Sequence, residues 1–150
     1  MIKINEIIDL TKRLEKLNEH STANFGKMTP QHMVEHLIFS LRFSNGKMPQ
    51  KLMLDESTSK NIKEFVINTD KELPIGFKAP MLTDELLNLY FPNLDSAKKQ
   101  LEKEISEFYE YAEQNPSQKP INPTMGELDF EEWNKFHNKH ITHHFNQFGI

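Results

Sequence analysis

Four of the seven histidines in this 150-residue chain fall within eight residues, His137, His140, His143 and His144, inside the run ELDFEEWNKFHNKHITHHFNQFG. Phe130, Trp133, His137, His140, Ile141, His144 and Phe148 recur three or four apart in it, the period of one helix face. On a helix turning about 100° per residue, His137, His140 and His144 lie within about 40° of Trp133, in the middle of the apolar stripe. His143 sits at the edge of that stripe, and Lys135, Thr142 and Asn146 mark the wet side. Imidazoles on an inward face need partners, because a buried polar group left without a hydrogen bond costs about 1–3 kcal/mol. The chain must therefore fold so that another element meets these rings with polar groups of its own, or so that the rings share a cation.

The remaining elements are helical too. Ile4, Ile7, Ile8, Thr11, Leu14 and Leu17 recur at helical spacing and predict a first helix over 3–19, ended before Gly26. Thr29-Pro30 supplies an N-cap oxygen and a first-turn proline for a second helix, which runs through QHMVEHLIFSLRFS to the terminator Asn45-Gly46. Residues 47–92 are the least regular. Helices are expected over 57–66 and, more briefly, 83–90, with ELPIGFKAP between them a loop. A long helix follows from Asn93 or Asp95 to Gln114, with Ala97, Leu101, Ile105, Phe108, Tyr109 and Ala112 on its inner side. NPSQKPINPTMG is a proline-rich connector, and no convincing β-hairpin is expected anywhere. The last helix starts at Asp129, with Glu132 completing a capping box. The expectation is an all-α single domain over residues 1–150: a four-helix bundle with a long irregular crossover between the second and third main helices.

Composition narrows the function classes. Cysteine is absent, which removes disulfides, thiolate metal ligands and a cysteine nucleophile together. No apolar run approaches the ~18 residues needed to span a bilayer, and the N-terminus lacks a basic segment followed by an apolar one, so no membrane association and a cytoplasmic location are expected. Net charge is −4 with the eighteen basic residues dispersed, which argues against nucleic acid as a partner.

His140 and His144 stand at i, i+4, a spacing that directs two imidazoles at one cation, as in helical zinc proteases. The protease reading itself fails, because Ile141 occupies the place of its glutamate. A third ligand should come from another helix. His36, in MVEHL, is the best candidate, and His32, in the first turn of the same helix, is its competitor. His137 reads first as a hydrogen-bonded core residue, and otherwise as a neighbour of the metal ligands that handles protons. Glu35 turns about 100° away from His36 on its helix, and His20 is a polar residue at a helix end.

Two segments, MTPQHMVEHL and the C-terminal H-x-x-H-H-x-x-Q-F run, resemble the DinB-like superfamily of metal-dependent helical bundles, and within it the DUF1569 group, over nearly the whole chain. The resemblance implies a four-helix bundle that holds a divalent metal ion, zinc or nickel, through His36, His140 and His144. It also implies a small-molecule substrate, a thiol S-transferase or hydrolase reaction that uses a low-molecular-weight thiol in the transferase case, and a homodimer. Gln147 matches a frequent position of that superfamily, but no chemistry follows for it from the sequence. The alternative expectation is a non-catalytic, metal-stabilised helical binding module. A DNA-associated stress protein is a third, weaker one, opposed by the acidic balance.

Overall fold

The computed structural model describes residues 7–76 and 86–150. Five helices make up most of it: α1 (Ile7–Glu15), α2 (Pro30–Arg42), α3 (Glu56–Asn68), α4 (Leu94–Gln114) and α5 (Phe130–Gln147), with a two-stranded antiparallel hairpin, β1 (Ile121–Asn122) and β2 (Gly126–Glu127), between the last two. None of the described helices is long and apolar enough to cross a membrane.

Helix starts follow local chemistry. The side chains of Thr29, Asp55 and Asn93 accept hydrogen bonds from the backbone N–H groups of His32, Thr58 and Ser96, and Pro30 occupies the first turn of α2. Asp129 and Glu132 form the reciprocal capping box of α5. Each helix then buries one stripe: Leu10 and Leu14 of α1; Met33, Val34, Leu37, Ile38 and Leu41 of α2; Leu101, Ile105 and Phe108 of α4; and Trp133, Ile141 and Phe145 of α5. α2 packs chiefly along α4 and also meets α5, α3 lies on α5, and α1 lies on α4.

Two buried charges tie these elements together. Glu104 of α4, fully buried, accepts from Arg42 Nε at 2.7 Å, Asn45 Nδ2 at 2.7 Å, Gln100 Nε2 at 2.9 Å and Lys47 Nζ at 3.1 Å. Burial alone would push this carboxyl up, but the hydrogen bonds from Arg42, Gln100, Lys47 and Asn45 outweigh it and hold it below its ordinary value. Lys139 of α5 is 1% exposed and donates through Nζ to the carbonyls of Val66 and Thr69, both at 2.6 Å. It satisfies the carbonyl end of α3, where a cation also complements the helix dipole.

The structure departs from the sequence reading at Thr142, which is read on the wet side of α5 and is buried, and in three longer segments. Of the helix expected over 3–19, residues 3–6 lie outside the described residues. α1 ends at Glu15, where the N–H groups of Lys16 and Leu17 bond back to Arg13 and Leu14 in a tightened turn. Of the helix expected over 83–90, residues 83–85 lie outside the described residues, and 86–90 are not helical. Side chains of α2 take up the backbone polar groups there. Glu35 accepts from the N–H of Tyr90 at 2.7 Å and of Phe91 at 3.2 Å, and Gln31 Nε2 donates to the Phe91 carbonyl at 2.8 Å. Finally, the proline-rich connector contains a hairpin. Asn122 Oδ1 accepts from the N–H groups of Thr124 and Met125, making a side-chain-stabilised turn, and Trp133 Nε1 donates to the Pro120 carbonyl at 2.9 Å. Strands of two residues are too short to show an alternating pattern.

Candidate metal centre

Thr29-Pro30 fixes where α2 begins, and so places His36 two turns inside it, facing α5. The capping box at Asp129 does the same for His140 and His144, one turn apart on the buried side of α5. The three rings meet. His36 Nε2 lies 2.9 Å from His140 Nε2, and His144 Nε2 lies 3.2 Å from the same atom. Ring centroids are 4.8 Å apart in all three pairings, each close to edge-on. His140 and His144 are 9% and 7% exposed. Phe136 stacks on His140 at 5.0 Å, and His143 packs edge-on against His144 at 5.0 Å, so aromatic surface encloses the cluster.

Burial, followed by the neighbouring imidazoles, holds these rings neutral. His36 is pushed down to about 4, by burial and then by His143. His144 is pushed down to about 3, by burial and then by His36. His140 lies well below its ordinary value, through burial, His36 and His144. Neutral imidazole is the form that ligates a cation.

The donor set fits a metal ion. Each N···N contact in the cluster can be bridged by one proton only, and His140 Nε2 belongs to both close pairs, so protons alone serve the arrangement poorly. His140 Nδ1 is buried and has no hydrogen-bond partner among the described residues, which leaves Nε2 as the only engaged atom of that ring. A cation facing all three Nε2 atoms would use every lone pair at once. Nitrogen–metal bonds of ~2.0–2.1 Å at tetrahedral angles put ligand nitrogens ~3.3 Å apart, close to the 2.9 and 3.2 Å found here. His36, His140 and His144 can thus hold a divalent ion.

The other sequence candidates are placed elsewhere. His137 is buried, stacks on Trp133 at 5.2 Å, and contacts Ser44 Oγ through Nε2 at 2.8 Å. Ser44 already donates its proton to the Leu41 carbonyl, so His137 Nε2–H is the donor to Ser44. Full burial pushes this ring down to about 3. His32 is turned to the crossover, donating from Nε2 to the Leu87 carbonyl at 2.8 Å with Nδ1 against Thr29 Oγ1. His20 is exposed beside Glu19. A surface depression of about 360 Å³ between α1 and α4, lined by Thr11, Glu15, Asp95 and Lys98 among others, shares no residue with the cluster.

Sequence reasoning assigned nothing to Gln147, yet its Oε1 lies 2.8 Å from His144 Nδ1 and its Nε2 donates to the Phe25 carbonyl at 3.0 Å. The available signal was its spacing: a polar residue three after His144 shares that residue's face.

No family model matches the chain, and no curated protein or solved structure matches it either.

Proposed function

We propose that this chain is a metal-dependent enzyme of the DinB-like kind, acting on a small molecule at a centre of zinc or nickel held by His36, His140 and His144. One observation carries this reading: three imidazoles from two helices converge, with Nε2 of His36 and of His144 lying 2.9 and 3.2 Å from Nε2 of His140. The MTPQHMVEHL segment and the H-x-x-H-H-x-x-Q-F run support the same assignment by resemblance. In this reading α1, α2, α4 and α5 are the rods of a four-helix bundle, and α3 belongs to the long crossover. By the same resemblance, the chain is proposed to pair as a homodimer.

Three protein ligands leave room at a divalent ion for one more. An ion held by His36, His140 and His144 would supply Lewis acidity, favouring loss of a proton from water or a thiol near neutral pH. The chain contributes the rest. His36, His140 and His144 present lone pairs, and Phe136 and His143 shield the cluster from bulk water. With no cysteine in the chain, any reacting sulfur must arrive on a low-molecular-weight thiol. No proton step is assigned to His137, whose Nε2 proton is committed to Ser44.

A non-catalytic, metal-stabilised binding module is the second reading, favoured by one specific observation. No carboxylate joins the three rings among the described residues. Glu35, beside His36 in sequence, is occupied in holding Tyr90 and Phe91.

Turnover separates the two. Protein purified without an affinity tag, loaded with zinc or nickel, is offered a panel of electrophiles with bacillithiol, mycothiol or glutathione. The transferase reading expects electrophile loss that requires both metal and thiol, whereas the hydrolase form requires metal alone. No metal-dependent loss with any pairing leaves the binding module.

A further inference from the structure

The amide of Gln147 has only one chemically consistent orientation. A backbone carbonyl can accept a hydrogen bond but not donate one, so the group facing the Phe25 carbonyl at 3.0 Å must be the NH₂ end. The oxygen end then faces His144 Nδ1 at 2.8 Å. An amide oxygen also only accepts, so Nδ1 carries the imidazole proton. A neutral imidazole has one proton, and His144 Nε2 is left as a lone pair aimed at the cluster.

The surroundings hold this amide in place. The Asn24 N–H donates to the Gln147 carbonyl at 2.7 Å, and Asn24 Nδ2 reaches the Asn146 carbonyl at 3.4 Å, so the connector between α1 and α2 is docked on the last turn of α5. The ring of Phe25 rests against His143 at 5.4 Å. Gly26 has φ +78°, and a Cβ there would lie 2.9 Å from Gln147 Nε2. Glycine is therefore required twice over, for the left-handed backbone and for the close approach of the amide. Gln147 is 4% exposed, so its two hydrogen bonds are made away from bulk water.

We infer that Gln147 is a positioning residue of the three-histidine centre: clamped by the Phe25 carbonyl, it fixes His144 in the Nδ1–H form and so keeps the Nε2 lone pair available to a divalent cation. The connector carrying Phe25 and Gly26 thereby becomes part of the outer layer of the centre, although it supplies no ligand. The effect on metal binding rests on the metal-centre reading proposed above, whereas the fixed proton position is a property of the metal-free protein.

The test uses the full chain labelled with ¹⁵N at histidine, together with Gln147→Met, which keeps the length but loses both hydrogen bonds, and Gln147→Glu, which keeps an acceptor for Nδ1–H. Imidazole ¹⁵N shifts of the metal-free proteins report where each proton sits. Wild type and Gln147→Glu are expected to hold His144 as Nδ1–H, and Gln147→Met to show a mixture or the Nε2–H form. Competition titration with Zn²⁺ is expected to show Gln147→Met weakened by ~10–100-fold, the range that outer partners of metal-bound histidines control, with Gln147→Glu retaining most of the affinity. A purely structural glutamine would leave the proton position unchanged. The inference is overturned if wild-type His144 carries its proton on Nε2, or if Gln147→Met keeps the wild-type tautomer. Wild type that binds no Zn²⁺ but shows the expected tautomer shift overturns the metal centre and upholds the role of Gln147 in setting the proton.

Discussion

His140→Ala is expected to abolish divalent-metal binding, lowering affinity by more than the ~100-fold that outer-layer partners control. His140 is the vertex of the cluster, with its Nε2 2.9 Å from that of His36 and 3.2 Å from that of His144. Removing it leaves two nitrogens and a gap, and two imidazoles do not close a site for zinc or nickel. Folding is less affected, because alanine also removes a buried nitrogen that has no hydrogen-bond partner. Melting curves with and without Zn²⁺ display the difference. With free metal at 100 times its dissociation constant, wild type gains ~2.7 kcal/mol and its melting temperature rises, whereas the variant gains nothing. An equal rise in both proteins would place the metal elsewhere.

The second large effect is acid unfolding of the metal-free protein. His36 is pushed down to about 4, His137 and His144 to about 3, and His140 well below the ordinary 6.5, in every case chiefly by burial. Between pH 6.5 and about 4 the unfolded chain binds protons at these positions and the folded chain does not. Their contribution to stability is complete above pH 6.5 and is lost as pH falls toward the folded values. By pH 5 His36, His137 and His144 have each given up as much as ~2 kcal/mol, a total that reaches the stability range of a typical domain, and His140 shifts in the same direction. Helical circular dichroism followed against pH at fixed ionic strength should collapse between pH 6 and about 4. Saturating divalent metal should move the midpoint to lower pH, since protons must then displace a bound ion. A metal-free midpoint below about pH 3 would show that these rings do not govern acid stability.

Where local chemistry decides, the sequence was readable. Thr29-Pro30 and the Asp129/Glu132 box set the starts of α2 and α5. Those two boundaries, with the i, i+4 pair and one inward histidine on α2, brought out the three residues that converge. The features that were not legible depend on partners distant in sequence. Residues 83–90 read as a short helix, but the backbone N–H groups of Tyr90 and Phe91 are claimed by Glu35, which lies 55 positions from Tyr90. Nothing in the sequence sets Lys139 apart, and only the fold brings the carbonyl end of α3 over it. Gln147 falls on the correct face, but its chemistry requires the Phe25 carbonyl, supplied by a connector with no periodicity to read.

The central claim is that one divalent ion sits where three Nε2 atoms converge, and anomalous diffraction tests it most directly. Crystals of tag-free protein grown with zinc or nickel, measured on either side of the metal absorption edge, should show one peak per chain ~2.0–2.1 Å from Nε2 of His36, His140 and His144. Crystals grown with the same metals that diffract well but show no anomalous density between those three rings would contradict it.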